Sequence, residues 1–163
     1  MDSPSLLHFL KEHAIPFTHQ EHAAVFTSEQ ARLLVPALPG FSAKNLFLRN
    51  KKGNRYFLLA LADAKTPNLK ALAVTLGTSN LSLASPQRLK EVLGITPGAV
   101  SLLALVNDSS HLVEVLVDQD LWKADAVQCH PLVNTATLVI SIAGLNQFLK
   151  LTGHTPRLIA ILP

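Results

Sequence analysis

Two segments of the chain carry residue types from which a polar site can be built. Lys44-Asn45 opens the apolar run Leu46-Phe47-Leu48. Far downstream, Cys129-His130-Pro131-Leu132-Val133-Asn134-Thr135 leads into the strand-like run 136–141. A cation, an amide and an imidazole at strand ends are what a pocket needs to hold a polar ligand against a rigid sheet. Lys44 is either a solvated lysine at a strand start or a cation for a carbonyl or phosphate oxygen, with Asn45 as a second donor. His130 is either a half-buried turn histidine or a pocket wall that donates to a substrate amine or carbonyl. Cys129 and His130 make a poor nucleophile–base pair, because neighbours on an extended chain point to opposite sides.

Other groupings are weaker. His19 and His22 look like half of a metal site, but no carboxylate or cysteine cluster completes the ligand set. Gly94-Ile95-Thr96-Pro97-Gly98-Ala99-Val100 is a glycine-bracketed turn. It is either a plain connection or a place where Gly98 lets backbone N–H groups approach a ligand. Arg49, Lys51, Lys52 and Arg55 crowd one turn, while Lys65, Lys70, Arg88 and Lys90 are dispersed. Such a basic tip is either merely solvated or, if it flanks Lys44, able to steer a phosphate backbone. Phosphate-binding glycine loops, a GxSxG elbow, CxxC pairs and HExxH are absent from the sequence.

The elements that must position these residues are marked by caps and breakers. Ser3-Pro4 starts a helix with a Leu6/Leu7/Leu10 stripe that ends before Pro16. Residues 28–34 form a short helix closed by Pro36, and 36–40 form a loop. Residues 44–49 and 55–62 read as a hairpin around Asn50-Lys51-Lys52-Gly53-Asn54. Thr66-Pro67 and Ser85-Pro86 cap helices that stop at Gly77 and Gly94. Residues 100–106 and 111–117 read as strands joined by a turn, and a short helix or turn follows at 118–123. Residues 136–141 form a strand, Ser141 caps a helix ended by Gly153, and 157–162 form a last strand. Hairpins with scattered helices predict an α/β protein of α+β type: one compact domain over residues 1–163 with a mixed, mostly antiparallel sheet.

Composition agrees with a single core. The 163 residues are 48% hydrophobic and 15% charged, against about 25% charged in an average domain. Fourteen Lys and Arg against eleven Asp and Glu leave a formal charge of +3, which permits nucleic-acid contact without demanding it. A lone cysteine excludes an intrachain disulfide. With no signal-like N-terminus and no long apolar run, a cytoplasmic protein without membrane contact is the expectation.

Five stretches, in this order, resemble the YbaK and ProX group of free-standing editing domains. They are His22-Ala23-Ala24-Val25-Phe26-Thr27 leading into Ser28-Glu29-Gln30-Ala31; Lys44 to Leu48; Leu81-Ser82-Leu83-Ala84-Ser85; Leu93 to Val100; and His130-Pro131-Leu132 with Asn134-Thr135-Ala136-Thr137. The resemblance spans nearly the whole chain. It implies a barrel-like sheet surrounded by helices, and hydrolysis of amino acids wrongly attached to transfer RNA, without metal or organic cofactor. The matching branch clears alanine from proline transfer RNA, so a proline transfer RNA acceptor end and prolyl-tRNA synthetase are the expected partners.

By the same resemblance, Lys44 positions the ester and terminal adenosine, with Asn45 as its polar neighbour. His130 lines the aminoacyl pocket, and Gly98 belongs to the loop that approaches the substrate backbone. Thr27, Phe47 and Ala99, in the same matched stretches, are further candidates for the aminoacyl pocket. Arg49, Lys51, Lys52 and Arg88 are the candidates for transfer RNA. A ribose hydroxyl of the substrate helps activate water. Two departures bear on loop shape and preference: Leu102 replaces a proline common four residues after the glycine, and Ala43 removes a hydroxyl before the lysine. Rivals are removal of serine, cysteine or threonine by the same fold, a non-catalytic module that binds the acceptor end or a synthetase, and a domain that senses a free amino acid.

Overall fold

A strand start near Lys44 and a turn near His130 are joined to one another by main-chain hydrogen bonds. The computed structural model describes residues 1–34 and 37–162. In chain order the elements are α1 (Ser3–Glu12), β1 (Phe17–Glu21), α2 (Ser28–Leu34), β2 (Ala43–Asn50), β3 (Tyr56–Ala62), α3 (Leu69–Leu76), β4 (Leu81–Leu83) and α4 (Pro86–Leu93). A 3₁₀ helix (Leu102–Asn107), β5 (Val113–Asp118), α5 (Gln119–Trp122), β6 (Ala126–Cys129), β7 (Ala136–Ser141), α6 (Ile142–Thr152) and β8 (Arg157–Ile159) follow. The strands make two sheets, an antiparallel one in the order β1-β7-β6 and a mixed one in the order β4-β2-β3-β5-β8. In the second, β4, β2 and β3 pair antiparallel, and β3, β5 and β8 pair parallel.

Period-two alternation divides the mixed sheet. Phe47, Leu58, Ala60, Val115 and Val117 pack into the core shared with Val127, Cys129, Leu138 and Ile140 of the smaller sheet. Leu48, Phe57, Leu59, Leu61 and Leu116 face Leu72, Ala73 and Leu76 of α3 on the other side. A strand covered on both faces has no polar side to show, which is why β3 reads as one apolar run. The sheets meet where Phe41 bridges in parallel to Val127. Its N–H donates to Ala126 O at 2.8 Å, and its carbonyl accepts from Gln128 N at 3.1 Å.

Several expectations need correction. Residues 100–106 are no strand. The Ser101 hydroxyl accepts from Leu103 N at 3.0 Å and starts a 3₁₀ helix whose Leu102, Leu103, Ala104 and Leu105 are all buried. The cap and the three-residue hydrogen bonds that follow it, such as Ala104 N to Ser101 O at 3.1 Å, take the backbone out of the extended form. The hairpin expected with 111–117 is absent, and β5 pairs parallel to β3 instead. The carboxylate of Asp108 starts β5 by accepting from Leu112 N and Val113 N. Asp2 caps α1 in place of Ser3, and Asn68 caps α3 in place of Thr66, each carboxylate or amide oxygen accepting an amide three residues on. Ser85 and Ser141 cap α4 and α6. The last strand stops at Ile159. Pro36 lies outside the described residues, as does the start of the 36–40 loop.

Lys65 is buried, and its ammonium meets Asp118 at 3.0 Å and Asp120 at 2.7 Å. The hydrogen bond from Lys65 holds the Asp120 carboxyl below the ordinary carboxylate range. A lowered carboxyl stabilises the fold above its unfolded pKa, and that contribution is lost as pH falls through its folded value. Lys65→Met removes the partner that lowers the Asp120 carboxyl and leaves Asp118 buried without a counter-ion. In thermal melts the variant should therefore lie well below wild type near neutral pH. The gap should narrow between about pH 5 and pH 3.

Candidate active site

The joint at Phe41 brings the first residues of β2 beside the turn that follows β6. Between them lies a cavity of about 460 Å³, bordered by Lys44, Asn45, Asp63, Gly98, Gln128, His130 and Thr137, and by Val25, Phe26, Thr27 and Arg32 from the segment leading through α2. Of the residues singled out from sequence, Lys44, Asn45, His130, Gly98 and Thr27 thus share one cavity. Phe47 and Ala99 do not border it. Phe47 points into the core between the sheets and stacks on Tyr56 with ring centres 5.5 Å apart. Ala99 is buried in the same core.

The polar atoms around His130 are oriented by their partners. Its Nδ1 lies 3.1 Å from Ala136 O. A carbonyl only accepts, so Nδ1 carries the hydrogen, and the neutral ring keeps its lone pair on Nε2. Burial, aided by His22 nearby, lowers the His130 pKa despite that hydrogen bond. The ring is therefore neutral at physiological pH, and its free nitrogen is an acceptor, where the sequence suggested a donor. Thr137 follows the same logic. His22 donates from Nδ1 to Ala23 O at 2.8 Å, and its Nε2 accepts from the Thr137 hydroxyl at 2.8 Å. Thr137 Oγ1 accordingly offers lone pairs.

Gly98 is required by a close approach of protein to protein. A Cβ there would meet Val25 O at 2.9 Å and Asn134 Nδ2 at 3.0 Å. Asn134 is the clamp, since its Nδ2 donates to Val25 O at 2.9 Å and its carbonyl accepts from Val25 N at 3.2 Å. Ser101 holds the opposite side by donating to His130 O at 2.8 Å. The Ala99 N–H is committed to Thr96 O, so of the two neighbours Gly98 N–H is the candidate ligand donor.

Lys44 and Asn45 lie on opposite faces of β2, as alternation requires. Asn45 shares the face of Phe47, and Lys44 shares that of Leu46 and Leu48. Both still border the cavity, and the flexible four-carbon stem of a lysine gives it the reach to work from a strand end. Among the described residues Lys44 enters no ion pair. Cys129 is buried, and desolvation pushes its thiol up to about 12, so it stays protonated and unreactive. His19 is exposed on β1, and among the described residues no group of three or more metal-ligating side chains is gathered.

The basic hairpin tip does not flank the cavity. Lys51 and Lys52 sit at the far end of β2 from Lys44, about 20 Å away at the rise of an extended strand. The Arg49 guanidinium is tied to the carbonyls of Asn50 and Lys51, and Arg88 pairs with Glu91 at 3.1 Å. The cation missed from sequence is Arg32, which borders the cavity from α2. Asp63, Thr137 and Gln128 were missed as well. Thr137 stood in a matched stretch without being singled out, whereas Asp63 and Gln128 carry no local signal, since only tertiary pairing brings them here.

Comparison with known proteins agrees with this geometry. A family profile for the aminoacyl-tRNA editing domain matches residues 22–148. The chain is 36% identical over 152 residues to the prolyl-tRNA editing protein ProX of Acetoanaerobium sticklandii, covering 93% of each chain. It is 38% identical over 154 residues to the prolyl-tRNA synthetase associated domain-containing protein 1 of Danio rerio, covering 93% of this chain and 83% of that one. A solved structure described as a candidate trans-editing enzyme for prolyl tRNA synthetase superposes with a TM-score of 0.71 at 18% identity, over 100% of this chain and 98% of that one. The chain belongs to the aminoacyl-tRNA editing domain family. It is an aminoacyl-tRNA deacylase, an ester hydrolase whose substrate is a charged transfer RNA.

Gly98→Ala tests the packing of the wall. The methyl group must displace backbone at Val25, so the variant should lose about 1–3 kcal/mol in chemical denaturation. Its deacylation rate should fall further than a control substitution of equal stability cost.

Proposed function

We propose that this deacylase acts in trans on proline transfer RNA mischarged with alanine, with residues 1–163 working as one editing domain. The observation that carries the proposal is the convergence of Lys44, Gly98 and His130 on one cavity, in a chain with one relative named as a prolyl-tRNA editing protein and another as a prolyl-tRNA synthetase associated domain-containing protein. Those names also make prolyl-tRNA synthetase the partner to test first.

An aminoacyl ester is already activated, so positioning and oxyanion stabilisation supply most of the required effect. Water attacks the carbonyl carbon, and the negative charge that develops on oxygen is met by the Lys44 ammonium and the Gly98 N–H. The tetrahedral species then expels the ribose oxygen, which takes up a proton as free alanine leaves. A ribose hydroxyl of the substrate helps to activate the water. Asn45 orients the ester beside Lys44. Neutral His130 accepts a hydrogen bond through Nε2, and Thr27 completes the wall. Proline is to be excluded by size at the alanyl subsite, since excluding a larger side chain is easier than rejecting a smaller one. Arg32 is the cation best placed for the phosphate of the terminal nucleotide. Lys51, Lys52, Arg49 and Arg88 are left for contacts farther along the RNA.

Deacylation of proline transfer RNA charged with alanine, beside the same RNA charged with proline, tests this. Wild type should release alanine only, and Lys44→Ala should cut the rate by about 10²–10³ with unchanged thermal unfolding. Near-full activity of the variant would remove Lys44 from the chemistry. Release of serine or threonine in preference to alanine would reassign the substrate.

A further inference from the structure

Asp63 follows the last residue of β3, where its N–H donates to Ser42 O at 3.1 Å and fixes it across from the start of β2. It is the single carboxylate among the described residues that border the cavity. Its Oδ1 is buried and has no hydrogen-bond partner. No ion pair among the described residues joins it to Lys44 or Arg32, although both border the same cavity. The residue as a whole is only half-buried, but a carboxylate oxygen withdrawn from water without a donor is costly, and a bound ligand is one way to supply its partner. A cation with N–H donors would supply both the hydrogen bond and the opposite charge. Two further acceptors, Thr137 Oγ1 and His130 Nε2, belong to the same cavity, and a primary ammonium carries three donors and no acceptor.

We propose that Asp63 binds the α-ammonium group of the amino acid being released, so that the site selects α-amino esters over α-hydroxy esters of the same shape. This rests on the deacylase function and assigns its amino-group subsite. The charge division is then complete: cations at Lys44 and Arg32 for the carbonyl and phosphate oxygens, and one anion for the amine. A charge-assisted hydrogen bond is roughly twice as strong as a neutral one, so its loss should be read in kcat/KM.

The test compares transfer RNA carrying alanine with the same RNA carrying L-lactate, in which a hydroxyl replaces the ammonium. Each rate is divided by its own uncatalysed rate. Wild type should favour the alanyl ester by about tenfold or more. Asp63→Asn should lose about ten- to a hundredfold on the alanyl ester and change the lactyl rate less than about twofold. Equal losses on both esters, or no loss on either, would overturn the assignment while leaving the deacylase function standing. Absence of any deacylation by wild type would remove both. The melting temperature of Asp63→Asn should be unchanged or raised, because no protein donor is lost and an uncompensated charge is relieved. A pronounced drop would show that Asp63 is structural and would also overturn the proposal.

Discussion

The two main-chain hydrogen bonds of Phe41 are the constraint on which the rest depends. The residue sits just ahead of β2, yet its N–H and carbonyl pair with Ala126 and Gln128 of β6. Without that bridge the mixed sheet and the antiparallel sheet would meet only through side chains, and Lys44 and His130 would share no wall. The apolar layer between the sheets, from Phe47 and Ala60 to Val127 and Leu138, fixes their separation. The cavity lies where that layer ends and polar residues begin.

The chemistry follows from what this arrangement does to solvation. Burial keeps His130 neutral and Cys129 protonated, so neither a charged imidazole nor a thiolate nucleophile is on hand. What the cavity offers is a division of charge: cations at Lys44 and Arg32, acceptors at Asp63, Thr137 and His130. An activated ester needs its polar atoms held apart and oriented more than it needs a protein nucleophile. Second-layer groups hold the acceptors in place: His22 turns the Thr137 hydroxyl, Ala136 O turns His130, and Asn134 pins the Val25 segment against Gly98.

Local sequence was informative where local physics decides. Ser85, Ser141, Gly77, Gly94 and Gly153 mark helix ends because capping and left-handed termini are properties of a few adjacent residues. The Lys44 and His130 segments stood out for the same reason, as polar clusters against apolar strands. The failures share a tertiary cause. Residues 100–106 look like a strand, but Ser101 caps a 3₁₀ helix there, with its hydroxyl anchored on His130 O from a distant turn. Strand β1 was missed because it shows polar residues to solvent and owes its existence to β7. Phe47 and Ala99 matched the family stretches, but alternation turns Phe47 into the core and packing does the same to Ala99. Asp63 and Arg32 carry no motif and become site residues only through pairing. The basic hairpin tip was conspicuous in sequence and lies at the wrong end of its strand.

The central claim is that the cavity between Lys44 and His130 holds the aminoacyl group. A crystal structure with 3′-deoxy-3′-(L-alanylamino)adenosine, whose amide replaces the labile ester, tests it most directly. The account predicts the alanyl group inside the cavity, its carbonyl oxygen toward Lys44 and Gly98, its ammonium on Asp63, and its methyl group too confined for a proline ring. An alanyl group ordered outside that cavity, with Lys44 and Asp63 untouched, would contradict it.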